Sequence, residues 1–140
     1  MSNSVTDSDD FFGELRSRVV ILDSSAIFHL KNLQVLRSIG AKLLTTNYVI
    51  NEIKDSISQT IIDLINIEIL EVHSEEVDRL RRKIKSKDLS DADLSLIILA
   101  EKLKHHHPVI ITDDFKLSQE LKRRRFKVLK VLFKGKSRFQ

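Results

Sequence analysis

The sequence predicts an α/β fold built on a mostly parallel sheet, and three observations carry that prediction. Short β-branched apolar runs alternate with longer stretches of helical periodicity, from "RVVIL" near one terminus to "FKVLKVLF" near the other. The runs "VVIL" and "VII" are continuous rather than alternating, the pattern of strands buried on both faces. Both end abruptly on aspartate, in "LDSSAIF" and "IITDDF". Parallel strands present their C-terminal ends on one side of the sheet, where α/β folds bind ligands.

The elements follow in order. Residues 1–16 are expected to be a flexible acidic tail that opens on the polar "MSNSVTDSDD", and "FFGELRSR" (11–18) has the composition of a short docking helix. "RVVIL" is the first strand. Ile27, Leu30, Leu33 and Leu36 recur at a spacing of three, so a helix is expected over residues 25–38, with Gly40 as its C-cap. "AKLLTT" is the second strand. "TNYVINEIKDSIS" reads as one helix capped by Thr45 or Thr46, with an apolar stripe of Val49, Ile50, Ile53 and Ile57. "TIIDLIN" is helical or irregular, and "IEILEV" alternates like a strand. "SEEVDRLRRKIKS" has a serine cap, acids in the first turn and bases in the last, the order the helix dipole favours. "LSDADLSLIILAEKLKHHH" is the clearest helix, capped by Ser90 with Asp93 in the capping-box position and stopped by Pro108. "VIITDD" is a strand, "FKLSQELKRRR" a helix and "FKVLKVLF" the last strand. A single domain is expected over residues 17–134, with a basic tail at 135–140 and no internal repeat.

Composition narrows the function. A chain of 140 residues is about one ordinary domain, and 41% hydrophobic residues suffice for a core. The absence of cysteine excludes disulfides, thiolate zinc sites and cysteine nucleophiles. No stretch is apolar enough to span a bilayer or serve as a signal core, so no membrane partner and a cytoplasmic location are expected. The net charge of +4 is uneven: Asp7, Asp9, Asp10 and Glu14 crowd the first 14 residues, leaving 24 bases against 16 acids beyond them. A basic body suits a polyanionic partner such as RNA. The segments "RLRRKIKSK" (79–87) and "LKRRRFKVLK" (121–130) are the candidate contacts with an RNA backbone, through Arg81, Arg82, Lys85, Lys87, Arg123, Arg124 and Arg125.

The chemistry points to carboxylates. Asp23 and the Asp113–Asp114 pair end two buried strands. Asp93 lies one turn from Ile97 and so towards the buried side of its helix, although a plain capping role also explains it. Glu52 flanks the apolar stripe of its helix, and Asp91 reads as a solvated first-turn acid. Together Asp23, Glu52, Asp93 and Asp114 would make an acidic cluster that repels itself. A hard divalent cation, Mg²⁺ or Mn²⁺, resolves such repulsion and prefers carboxylate oxygens. Competing chemistries are weaker. With three glycines and no P-loop, a glycine-rich phosphate cradle is excluded. "HHH" at 105–107 reads as a solvated helix end, and Ser24 and Ser25 have no histidine placed for a triad.

The order of four motifs, "ILDSSAIF", "TTNYVINEIKDS", "LSDADLSLIILAEKL" and "IITDDFKLSQEL", resembles a PIN domain over about residues 19 to 130. The resemblance implies a three-layer α/β/α sandwich with about five strands, metal-dependent ribonuclease activity and a quartet of acids. Carried over by position, these are Asp23, Glu52, Asp93 and Asp114, with Asp113 competing for the fourth place, and Ser25 and Thr112 as hydroxyls orienting them. Among PIN proteins, "EIKD", "LSDADLS" and "TDDF" are most similar to the Nob family, endonucleases that mature the 3′ end of small-subunit ribosomal RNA. That family usually carries a zinc ribbon, which a chain without cysteine lacks. The alternatives are a toxin of the VapBC type, whose partner would be an antitoxin, and an inactive PIN module that binds RNA or a ribosome-assembly factor. The sequence leaves a homodimer open.

Overall fold

The fold is described from a computed structural model covering residues 18–28, 34, 37–38 and 40–130. The two tails, all but Arg18 of the "FFGELRSR" segment and most of the expected 25–38 helix lie outside the described residues.

Five parallel strands form one sheet in the order β3-β2-β1-β4-β5. They are β1 (Val19–Leu22), β2 (Lys42–Thr46), β3 (Glu68–Leu70), β4 (Val109–Ile111) and β5 (Lys127–Leu129). The helices whose bounds lie among the described residues are α1 (Ser24–Ile27), α2 (Asn47–Glu52), α3 (Ser56–Ile65), α4 (Ser74–Lys83), α5 (Asp91–Lys102) and α6 (Phe115–Arg123). They flank the sheet, giving the expected α/β/α sandwich. The chain winds outward from β1 through β2 to β3, then crosses back to β4 on the other side of β1. That reversal makes the C-terminal ends of β1 and β4 a topological switch point, where open α/β sheets form their ligand crevice.

The apolar runs explain the centre of the sheet. Val20, Ile21 and Leu22 pair in register with Val109, Ile110 and Ile111, and all six are buried. Helix α5 adds Leu94, Leu96, Ile97 and Leu99, and α6 adds Leu117 and Leu121. Each such side chain contributes about 1.5–3 kcal/mol on burial. The edges are short and charged: β3 begins at exposed Glu68 and β5 at exposed Lys127, which discourages edge pairing.

Local signals set most helix boundaries, and four of these differ from the sequence reading. The single helix expected across "TNYVINEIKDSIS" is two. Thr46 Oγ1 accepts from the Val49 amide at 3.2 Å and starts α2, which stops at Ile53; Asp55 then accepts from the Ser58 amide at 2.8 Å and starts α3. The cap formed by Asp55 and Ser58 outcompetes the apolar stripe, leaving Ile53 buried but Ile57 72% exposed. Helix α4 is entered one residue early: His73 is its N-cap and its amide donates to Glu76 Oε1 at 3.0 Å, which puts Ser74 in the first turn. Helix α1 likewise starts at Ser24, because Asp23 caps it. Helix α5 does not run through the histidines. It ends at Lys102, Lys104–His106 tightens into a 3₁₀ turn, and His107 adopts φ 50° to swing the chain into β4. Gly40 has φ 90°, and its amide donates to the Arg37 carbonyl at 3.1 Å, so it makes the turn expected of it. No helix among the described residues is long and apolar enough to cross a membrane.

Candidate active site

Asp23 follows β1 directly and is 8% exposed. Its amide donates to the Ile111 carbonyl at 3.1 Å, extending the β1–β4 pairing by one bond. One carboxylate oxygen, Oδ1, accepts from the Ser24 amide at 2.7 Å, and the other, Oδ2, accepts from the Thr112 hydroxyl at 2.5 Å. Burial pushes the Asp23 pKa above the ordinary carboxylate value. The bonds from Thr112 and Ser24 hold it back, and the charges of Asp114 and Glu52 raise it further.

Thr112 is fully buried and joins two acids. Besides donating to Asp23, its oxygen accepts from the Asp114 amide at 3.0 Å. Asp114 then caps α6, with Oδ1 accepting from the Leu117 amide at 2.9 Å. Asp113 beside it is exposed, and its amide donates to Ser25 Oγ at 3.3 Å. Asp114, not Asp113, acts on the pKa values of Asp23 and Asp93.

The third acid comes from α5. Ser90 Oγ accepts from the Asp93 amide at 3.1 Å, and Asp93 Oδ2 accepts from the Ser90 amide at 3.0 Å. This capping box fixes the carboxylate at the mouth of the helix. Asp93 is half-buried, and its pKa is raised first by burial and then by Asp114 and Asp23, against the Ser90 bond. Glu52, the last residue of α2, is exposed. Desolvation raises its pKa, as do Asp93 and Asp91. Each of Asp23, Glu52, Asp93 and Asp114 therefore takes part in one mutually repelling electrostatic group drawn from four segments.

No ion pair among the described residues involves any of the four. Two cations near the group are committed elsewhere: Lys116 to Asp88 at 2.7 Å, and Arg81 to Asp91 at 2.6 Å. Hard oxygen donors without a protein cation fit a divalent ion. Among the described residues no three His, Asp or Glu side chains lie close enough to form a finished metal cage. Like-charged carboxylates with three of their number, Asp23, Asp93 and Asp114, tied to helix caps have no reason to close without a cation between them.

The pairing of two buried hydroxyls escaped the sequence reading, which treats Thr46 only as a candidate helix cap. Thr46 Oγ1 and Ser95 Oγ lie 2.7 Å apart, and both residues are fully buried. They join the start of α2, which carries Glu52, to α5, which carries Asp93. Ser95 on the apolar face of α5 is the visible signal, since an unpaired hydroxyl there would be costly. Of the basic candidates, Arg82, Lys85 and Lys87 are exposed. The Arg123–Arg125 triplet divides. Arg123 and Arg124 both pair with buried Glu120, Arg124 also reaching Glu101 at 3.2 Å, whereas Arg125 makes no side-chain bond to a described residue. His105, His106 and His107 are exposed, near the end of the sheet away from the acids.

A parallel sheet with acids gathered beyond its switch point defines a class of α/β proteins that act on ligands held at that crevice. A family model described as a PIN domain matches residues 19–138, and the chain belongs to that family. No curated protein matches the sequence. PIN domains are typically nucleases that use Mg²⁺ or Mn²⁺ and act on RNA, so a nuclease-type function follows for the class.

Proposed function

We propose that this protein is a Mg²⁺- or Mn²⁺-dependent endoribonuclease in which Asp23, Glu52, Asp93 and Asp114 are the metal-binding carboxylates. The supporting observation is that the pKa values of Asp23, Glu52 and Asp93 are raised in part by charges within this set, Asp114 among them, while no described Lys or Arg forms an ion pair with any of the four. Asp114 is preferred to Asp113 because it acts on Asp23 and Asp93. A divalent cation held there would supply an activated water for attack on phosphorus and charge stabilisation for the leaving oxygen.

The chain's own residues do the rest. The buried Asp23 carboxylate is held by Thr112 and Ser24, so it meets its ligand in a fixed orientation. Arg82, Lys85 and Lys87 lie on or just before the loop that leads into Ser90, and they would bind the RNA backbone next to the acids. Lys116 is the lysine nearest Asp114 in sequence, but its bond to Asp88 raises its pKa and keeps it a cation. It is therefore a poor base for a ribose 2′-hydroxyl, and products with 5′-phosphate and 3′-hydroxyl ends are expected. The substrate we assign is small-subunit pre-rRNA in the cytoplasm, on the similarity of "EIKD", "LSDADLS" and "TDDF" to the Nob family.

The test is incubation with RNA spanning the 3′ end of small-subunit rRNA, with Mn²⁺ and with EDTA, for wild type and Asp23→Asn. Cleavage at the mature end that needs Mn²⁺ and Asp23 is expected. Cleavage only within tRNA or mRNA would select the toxin reading. Cleavage that survives EDTA or Asp23→Asn would refute the metal-site assignment.

A further inference from the structure

At the end of the sheet opposite the acids lies a cavity of about 260 Å³, lined by Arg18, Lys104, His107, Arg125, Phe126 and Lys127 among others. Arg18 precedes β1, His107 stands just before β4, and Lys127 opens β5. These strands are parallel neighbours, so their N-terminal ends bring cations from distant parts of the chain to one place. Among the described residues no Asp or Glu lines the cavity, and the lining cation Lys104 has an acid partner in Glu101, 3.9 Å from its Nζ. The strands themselves put roughly 10–13 Å between this cavity and the acids.

The backbone carries a second observation. Among the described residues three non-glycines have positive φ: Asn66 (64°), His107 (50°) and Arg125 (74°). Asn is a residue type that visits this region readily. His does so too, whereas Arg does not and gives up about 1 kcal/mol relative to glycine there. Glycine is the usual choice for such turns after a helix. The chain keeps an imidazole and a guanidinium instead, and both line the same cavity. The side chains are also arranged. Arg18 Nη2 donates to the His107 carbonyl at 2.6 Å, and Lys104 Nζ sits 5.5 Å from the centre of the Phe126 ring. Arg125 makes no side-chain bond to a described residue, while Arg123 and Arg124 beside it are both held by Glu120.

We propose that this cavity binds the phosphate group of a nucleotide or polynucleotide. Several converging cations match the charge of a phosphate better than that of a single carboxylate, and guanidinium forks match its oxygens. The volume is near the lower end of small-ligand pockets, which begin at about 300 Å³. The site stands apart from the acidic cluster and does not rest on the nuclease reading.

The test uses the full chain in EDTA, followed by ¹H–¹⁵N correlation spectra. It is titrated separately with inorganic phosphate, a ribonucleoside 5′-monophosphate and a short single-stranded RNA. Phosphate and the monophosphate should shift the amides of Arg18, Lys104, His107 and residues 125–127 and leave Asp23 and Asp93 in place. Arg125→Gly removes the guanidinium where the backbone favours glycine, so it should melt at or above the wild-type temperature yet bind phosphate about tenfold more weakly. Lys104→Gln, on another element, should weaken binding in the same direction. RNA binding more tightly than the monophosphate would support a backbone phosphodiester as the ligand, and equal affinity would support a small nucleotide. Shifts spread evenly over the basic surface, or unchanged affinity in Arg125→Gly, would overturn the proposal. No cleavage is read and no divalent ion is present, so the result is separate from that of the nuclease test.

Discussion

Replacing Thr112 with valine keeps the side-chain shape and removes one hydroxyl, which at this position joins two strand ends. The substitution deletes the donor to Asp23 Oδ2 at 2.5 Å and the acceptor of the Asp114 amide at 3.0 Å. The first bond goes to a charged, buried carboxylate and is in the range of about 1.5–3 kcal/mol; the second is an ordinary bond of about 0.5–1.5 kcal/mol. Thr112→Val should therefore cost roughly 2–4 kcal/mol, or about 10 °C in Tm for a domain of this size. The Thr112 bond is the largest influence holding the Asp23 pKa down, so its loss moves that pKa further up. A cation must then displace a more tightly held proton, and Mn²⁺ affinity near neutral pH should fall as well. Thermal unfolding by circular dichroism in EDTA reads the first effect, and Mn²⁺ titration reads the second. The stability deficit should shrink in acid, where a protonated Asp23 no longer needs the donor. Thr112→Ser should restore both properties. A valine variant as stable as wild type in EDTA, with unchanged Mn²⁺ affinity, would refute the role given to this hydroxyl.

The metal-free protein should become more stable as pH falls from 7 into the range of the raised pKa values. Asp23, Glu52 and Asp93 all titrate above their unfolded values, so the folded state holds their protons more tightly and stability drops as pH rises through that window. Asp55, Glu76 and Asp88 have lowered pKa values, and their contribution is lost as pH falls through those values, which places a maximum between the two windows. Urea midpoints against pH in EDTA check this, and a steady decline from pH 7 downward would contradict it. Arg124→Ala leaves Glu120, 5% exposed, with Arg123 as its remaining partner, and should destabilise the fold by about 2–4 kcal/mol in denaturant melts. Ile57→Lys should lie within about 0.5 kcal/mol of wild type because Ile57 faces solvent, whereas one unbroken helix would have buried it. Asp55→Ala should cost about 1 kcal/mol through loss of the α3 cap, read as a lower urea midpoint.

Some of this protein is written locally in its sequence. The continuous runs in β1 and β4 mark strands buried on both faces, because hydrophobic burial is a property of the residues themselves. The bond pair between Ser90 and Asp93 spans three residues, so its spacing alone discloses the cap and the position of the acid. That Asp23 and the Asp113–Asp114 pair share one side of the sheet follows from parallel pairing, a rule of topology rather than of coordinates. Where two local signals compete, the sequence is less clear: the stripe ending at Ile57 and the cap at Asp55 both look valid, and which one holds depends on what packs against the segment. The roles within the arginine triplet were settled only in three dimensions, since Arg124 is fixed by Glu101 on another helix. The hydroxyl pair of Thr46 and Ser95 joins residues 49 positions apart, and the Thr112–Asp23 bond joins residues 89 apart. The basic cavity draws on three strand starts and the turns before them. Such long-range contacts leave no periodicity in the chain. They exist because the sheet order places β1 between β2 and β4, and only the folded structure reveals that order.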